Sequence, residues 1–251
     1  MLRPVTPAVV IGTFAWRLLL AFCAFWGWWL YGHDPDELIF LTQSGNLLTG
    51  VVFLLVAFYG LIIGLAYQRE AATHVWRGAM ALLLLVVAST YLGVIGGNTA
   101  EAKDAFTHVI TPLLVLADWC FVGRRQNGTR WWQPLTWLVV PSVWLLWYTA
   151  TDGFREQNTF DAPIYDFMDP QDSSYPGVFT GLVLGTIAGA YALYGIAKLK
   201  GAVARSSQPS APYYPPPQYP PPPYAPQYPP PAYPPPHQQH PGPPRTPSGR
   251  Y

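Results

Sequence analysis

Six apolar runs, each long enough to cross a lipid bilayer, constrain this chain more than any other feature. A spanning helix needs about 20 residues, and the runs fall near 8–31, 38–67, 75–97, 106–123, 134–151 and 176–197. Hydrocarbon offers no water to a backbone N–H or C=O, so each run must close its own hydrogen bonds as a helix. The composition agrees: 11% of the residues are charged, against about 25% in a soluble domain. The expected fold is an all-α integral membrane protein with six transmembrane helices over residues 1–205. The first run is too long for a signal peptide and lacks a small-residue cleavage site. Trp26, Trp28, Trp29 and Tyr31 crowd its far end as an interfacial belt. The second run has enough length to tilt or to begin with an interfacial turn.

Residues 206–251 form a second region, holding 20 of the 29 prolines and repeating Tyr-Pro-Pro-Pro from Tyr214, Tyr219, Tyr228 and Tyr233. Proline at this density removes donors and excludes helix and sheet interiors, so a disordered tail of polyproline II character is expected. Such a tail is either a ligand for a cytoplasmic proline-binding partner or a solvated extension with no specific role.

Lysine and arginine set the expected orientation. Arg3, Arg69, Arg77, Arg124, Arg125, Arg130, Lys198, Lys200 and Arg205 fall in alternate connections, whereas the others hold only Lys103 and Arg155. The basic-poor connections are acidic, with Asp34, Asp36, Glu37, Asp152, Asp161, Asp166, Asp169 and Asp172. The positive-inside rule then places both termini in the cytoplasm and the 5–6 connection, about 152–175, outside. The composition of the tail fits a bacterial plasma (inner) membrane protein. No nucleic-acid partner is expected. Cys23 and Cys120 lie alone in apolar runs and offer neither a disulfide framework nor a metal motif. His33, His74 and His108 fall in different segments, so no haem or zinc cofactor is expected.

The most informative run is FTHVITPLLVLADWCFVG, from Phe106 to Gly123. Histidine, proline and aspartate are costly in lipid and should face protein or water. Thr111 and Asp118 share a helical face, with His108 roughly 60–80° round from them. Arg17, midway along span one, comes within a few ångströms of Asp118 in depth at about 1.5 Å per residue. A structural ion pair between spans one and four is expected. A proton or ion relay would want more intramembrane carboxylates.

A second polar stretch, FLTQSGN from Phe40 to Asn46, opens span two. Thr42 and His108 should lie at similar depth, and Thr42 and Asn46 share a face. A threonine hydroxyl becomes a nucleophile when a base takes its proton, and neutral imidazole is the usual base. Asn46 would then donate to a developing oxyanion. The plainer readings are a threonine bonded to its own backbone, an asparagine joining helices and a histidine at the interface. Ser44-Gly45 is a rival nucleophile, although Ser44 points about 160° away from Thr42.

The set FLTQSGNLLTGVV, THVITPLLVLADW and YDFMDP resembles the androgen-induced and androgen-dependent TFPI-regulating protein family and its bacterial six-span relatives, over roughly residues 10–197. His108, Pro112, Asp118 and Trp119 carry the most specific part of the likeness, and Tyr165, Asp166 and Phe167 stand where the family has Tyr-Pro-Phe. The resemblance implies a membrane threonine hydrolase acting on fatty acid esters of hydroxy fatty acids or related acyl esters, with Thr42 as nucleophile and His108 as second catalytic residue. The alternative from another class is a non-enzymatic scaffold working through the tail. A transporter is a third option, weakened by the lack of an internal repeat.

Overall fold

The computed structural model describes residues 4–32, 35–150, 165–169 and 171–206. The proline-rich tail and residues 151–164 of the acidic connection lie outside the described residues, as do His33 and Asp34. All regular structure among the described residues is helical.

Helix α1 (Pro7–Tyr31) starts with proline in its first turn, where no N–H is missed. It stops at Gly32, whose φ of 122° suits only a residue without a side chain. A 3₁₀ turn (Pro35–Ile39) leads into α2 (Leu41–Tyr67), as the length of the second run suggests. Helix α3 (His74–Ser89) continues as a π segment over Thr90–Ile95. The fourth run folds as α4 (Ala102–Ala105), a π segment (Phe106–Ile110) and α5 (Thr111–Phe121). Pro112 explains the widened turn: it has no N–H for the carbonyl four residues back, and its ring would strike that carbonyl in a regular α-helix. The last helix, α8 (Tyr175–Ser206), is longer than its apolar run.

Five of these helical stretches are long and apolar enough to cross a membrane: Pro7–Tyr31, Leu41–Tyr67, His74–Ile95, Ala102–Phe121 and Tyr175–Ser206. The fifth apolar run departs from the expected single span. It divides into α6 (Gln133–Trp137) and α7 (Val139–Ala150). Pro141 cannot donate to the carbonyl of Trp137, so the ladder breaks at Leu138. It resumes with Ser142 N–H donating to the Leu138 carbonyl at 3.0 Å.

Helix α3 is the axis of the bundle. Every residue from Arg77 to Leu84 is buried, so the helix is covered all round, by α2, α5, α6 and α8. Leu20, Phe53, Val115, Trp119, Trp137 and Leu193 pack into the same core. Small residues set the closest approaches, as they do where apolar burial alone cannot tell one helix from another. Gly50 lies against the ring of Phe25 and Gly78 against the indole of Trp137.

Candidate functional site

The first turn of α2 is held by a residue more than a hundred positions away. The backbone N–H of Leu41 donates to the hydroxyl of Tyr165 at 3.1 Å, replacing the side-chain cap that Phe40 cannot supply. The Tyr165 ring is fixed in turn by Phe40, Trp144, Tyr148 and Phe167, with centroids 5.3–6.0 Å apart. Burial pushes its phenol well above the ordinary tyrosine range. The N–H groups of Gln43 and Ser44 both go to the Phe40 carbonyl at 3.1 Å. Thr42 is thereby left as the first-turn residue whose N–H has no such partner among the described residues.

Thr42 lines a cavity of about 190 Å³ between α2, α3, α7 and α8. Its walls are mostly apolar, with Leu41, Val87, Trp144, Met168 and Phe179, and also carry Thr90, Ser142 and Thr186. Ser44 faces a different cavity of about 340 Å³, beside Leu83, Val143 and Trp147. Leu41 and Trp144 contribute to both walls and so divide the two. The Ser44 hydroxyl is spent on the Phe40 carbonyl at 3.0 Å. The two hydroxyl residues therefore address different spaces, as their angular separation on the helix implies.

His108 is buried, 3% exposed, in the π segment of the fourth run. Its imidazole lies flat on the ring of Tyr91, from the other π segment, with centroids 3.5 Å apart and planes within 3°. Tyr91 also lines the cavity that Thr42 lines. It forms a wall between that space and the imidazole face it covers, and its hydroxyl donates to the Asn98 carbonyl at 2.8 Å. Thr42 and His108 share no hydrogen bond among the described residues. Nδ1 of His108 is buried without a partner there.

The second and fourth runs do meet. The Asn46 amide donates to the Thr42 carbonyl at 2.8 Å and to the Thr107 carbonyl at 3.5 Å. Asn46 is thus the link between α2 and the π segment, with both amide hydrogens engaged. The oxyanion role raised from the sequence has no free hydrogen to work with in this arrangement. Nearer the start of the fourth run, Tyr31 at the end of α1 donates to Asp104, one turn before His108.

The charged cluster lies at the opposite end of the bundle. Arg17 Nε is 3.6 Å from Asp118 Oδ1, the pairing expected from depth. The closer partner is Arg77, with Nε 2.5 Å from Asp118 Oδ2. Its Nη2 also donates to the carbonyls of Asp118 and Val122 at 2.6 Å. The sequence reading counts Arg77 with the 2–3 connection, whereas the residue sits in the first turn of α3 and is 1% exposed. Trp16 adds a donor to Asp118 Oδ1 at 3.2 Å. One carboxylate thus serves two buried guanidiniums and an indole.

Comparison with protein-family models, curated proteins and solved structures finds no match to this chain. Its function is therefore argued from the site alone.

Proposed function

We propose that the protein is a six-span plasma-membrane protein with both termini and its proline-rich tail in the cytoplasm, and that it hydrolyses acyl esters with Thr42 as nucleophile and His108 as general base. One observation supports this above the others: Thr42 opens onto an apolar cavity whose Tyr91 wall is stacked directly on His108. The other reading, a scaffold acting through the tail, rests on residues 207–251, which lie outside the described residues.

The cavity suits an acyl chain, because its lining is mostly apolar and Thr42 puts a hydroxyl on it. Thr42 Oγ1 attacks the ester carbonyl while His108 accepts its proton. The N–H of Thr42, without a partner among the described residues, donates to the developing oxyanion. His108 must close on Thr42 when the ester is bound, as catalytic contacts commonly tighten only in the complex. This requires the imidazole to move past the edge of Tyr91. The break at Leu138 leaves α6 and α7 together as the fifth span, the irregular backbone being covered by protein on the α3 side.

The test uses purified protein and a fluorophosphonate-type probe. Wild type and Ser44→Ala should be labelled, whereas Thr42→Ala and His108→Ala should not. Labelling lost only in Ser44→Ala and His108→Ala would transfer the nucleophile to Ser44. A folded wild type that neither labels nor cleaves an acyl ester would overturn the hydrolase.

A further inference from the structure

Four buried side chains near the proposed catalytic pair have polar atoms without partners. They are Gln43 (Oε1 and Nε2), Asn46 (Oδ1), His108 (Nδ1) and Thr111 (Oγ1). None is more than 3% exposed. Helical spacing puts Gln43 one turn from Asn46 on α2, and His108 one turn from Thr111 on the facing helix. The Asn46–Thr107 contact brings these two faces together. Buried polar atoms in folded proteins are satisfied by protein or by ordered water, and an orphan among them calls for an explanation. The five orphan atoms belong to two helical stretches that meet at the Asn46–Thr107 contact, so one shared partner accounts for them together.

The chemistry of the set selects the ligand. The Asn46 orientation is fixed, because its Nδ2 faces two carbonyls; its Oδ1 must therefore accept. Gln43 presents a donor and an acceptor, and the Thr111 hydroxyl serves as either. An anion would meet the Asn46 oxygen and a cation would meet the Gln43 amide hydrogens. A molecule that both donates and accepts fits all four, and water is the smallest that does.

We propose that Gln43, Asn46, His108 and Thr111 form a bound-water site between α2 and the π segment of the fourth run, and that this water is the one His108 activates to release the acyl group. The second half rests on the hydrolase reading; the site itself does not. In that step the imidazole accepts a proton from the water while its oxygen bonds to the acyl carbon. The carbon–Oγ1 bond to Thr42 then breaks, Oγ1 takes the proton back from the imidazolium, and a carboxylic acid leaves.

The site is tested first in the wild-type chain by pulsed radiolytic footprinting, which generates hydroxyl radicals from bound water. Oxidation of His108, with equally buried Trp119 unmodified, is the expected result; an unmodified His108 overturns the site. Thr111→Val removes the hydroxyl at constant shape. It should lower the unfolding midpoint if the hydroxyl holds water, and a raised midpoint would show a dry oxygen and overturn the site. With a p-nitrophenyl acyl ester, Gln43→Leu and Thr111→Val should keep the initial burst but lose roughly tenfold or more in steady-state rate, the size of a typical general acid–base contribution at its low end. An undiminished steady-state rate overturns the delivery role. A wild type without burst or turnover removes the hydrolase reading and leaves the footprint to decide the site.

Discussion

The His108 imidazole and the Tyr91 phenol ring lie parallel, 3.5 Å apart between centroids, each carried on a π segment of its helix. Widened turns re-aim side chains, and they recur at functional sites because the irregular ladder has to be stabilised by its surroundings. Here two of them place one aromatic ring on another. Tyr91→Phe keeps the stack and loses the hydroxyl's bond to the Asn98 carbonyl and its interaction with Asp104, so its labelling by the fluorophosphonate probe should match wild type. Tyr91→Leu loses the stack, worth about 0.5–1.5 kcal/mol beyond the area it buries. It should lower the unfolding midpoint and speed labelling, because the ring that the imidazole has to pass on its way to Thr42 is gone. Equal labelling of Phe and Leu variants would remove Tyr91 from the site.

Asp118 should be far less replaceable than Arg17. Asp118→Asn leaves Arg17 and Arg77 buried without the carboxylate they share, a loss of about 3–5 kcal/mol when one partner of a buried pair is removed. Arg17→Leu leaves Asp118 paired with Arg77 and Trp16 and removes a cation whose Nη2 has no partner among the described residues. Its effect should be small or stabilising. Arg77→Lys should resemble Asp118→Asn rather than wild type. A single ammonium cannot reproduce the fork that reaches the carboxylate and two carbonyls. Unfolding midpoints of the three variants in one detergent order them directly.

Helices were legible in this sequence because lipid leaves a chain so few options, and the fixed rise per residue is enough to set Arg17 level with Asp118. What surrounds them was not. Leu82 and Leu83, covered on every side, and Leu54 and Leu55, exposed on the outside of α2, are the same residue type; hydropathy cannot separate core from lipid-facing surface. Arg77 reads as a loop cation because it lies in the first turn of its helix, and only packing shows that it turns inward. Gln43 carries no motif, and its meaning appears once Asn46 and Thr107 bring the fourth run beside it. The Tyr165–Leu41 bond joins residues too far apart in sequence for any spacing rule. Pro141 was the exception among the missed features. A proline eight residues into an apolar run signals a broken ladder, and the break is where that signal puts it.

Removing the Tyr165 hydroxyl should damage the site while leaving in place the ring that lines its cavity. Tyr165→Phe keeps the ring among Phe40, Trp144, Tyr148 and Phe167 but leaves the Leu41 N–H without its acceptor. A lost helix cap costs about 1 kcal/mol, here at the turn that carries Thr42. The variant should fold, unfold at a modestly lower midpoint and label more slowly than wild type with the probe. Tyr165→Ala, which also empties the aromatic cluster, should be lower in both. A Phe variant indistinguishable from wild type in both measurements would show that the first turn of α2 holds without the cap.

Two glycine-to-alanine changes should move stability in opposite directions. A Cβ on Gly78 would fall inside the Trp137 indole, and neither partner has room to yield because both are buried against the same core. Overpacking of this kind costs about 1–3 kcal/mol, and the displaced indole would press on Trp119, which meets it edge to face at 5.2 Å. Gly181, in α8, has nothing within 4 Å of the corresponding position. There alanine should lose nothing and gain up to about 1 kcal/mol of helix propensity. Unfolding midpoints of Gly78→Ala and Gly181→Ala measured side by side check both signs. A destabilised Gly181→Ala would mean that the open face of α8 is covered in the assembled protein, because only a close neighbour makes a single methyl group costly on an exposed helix.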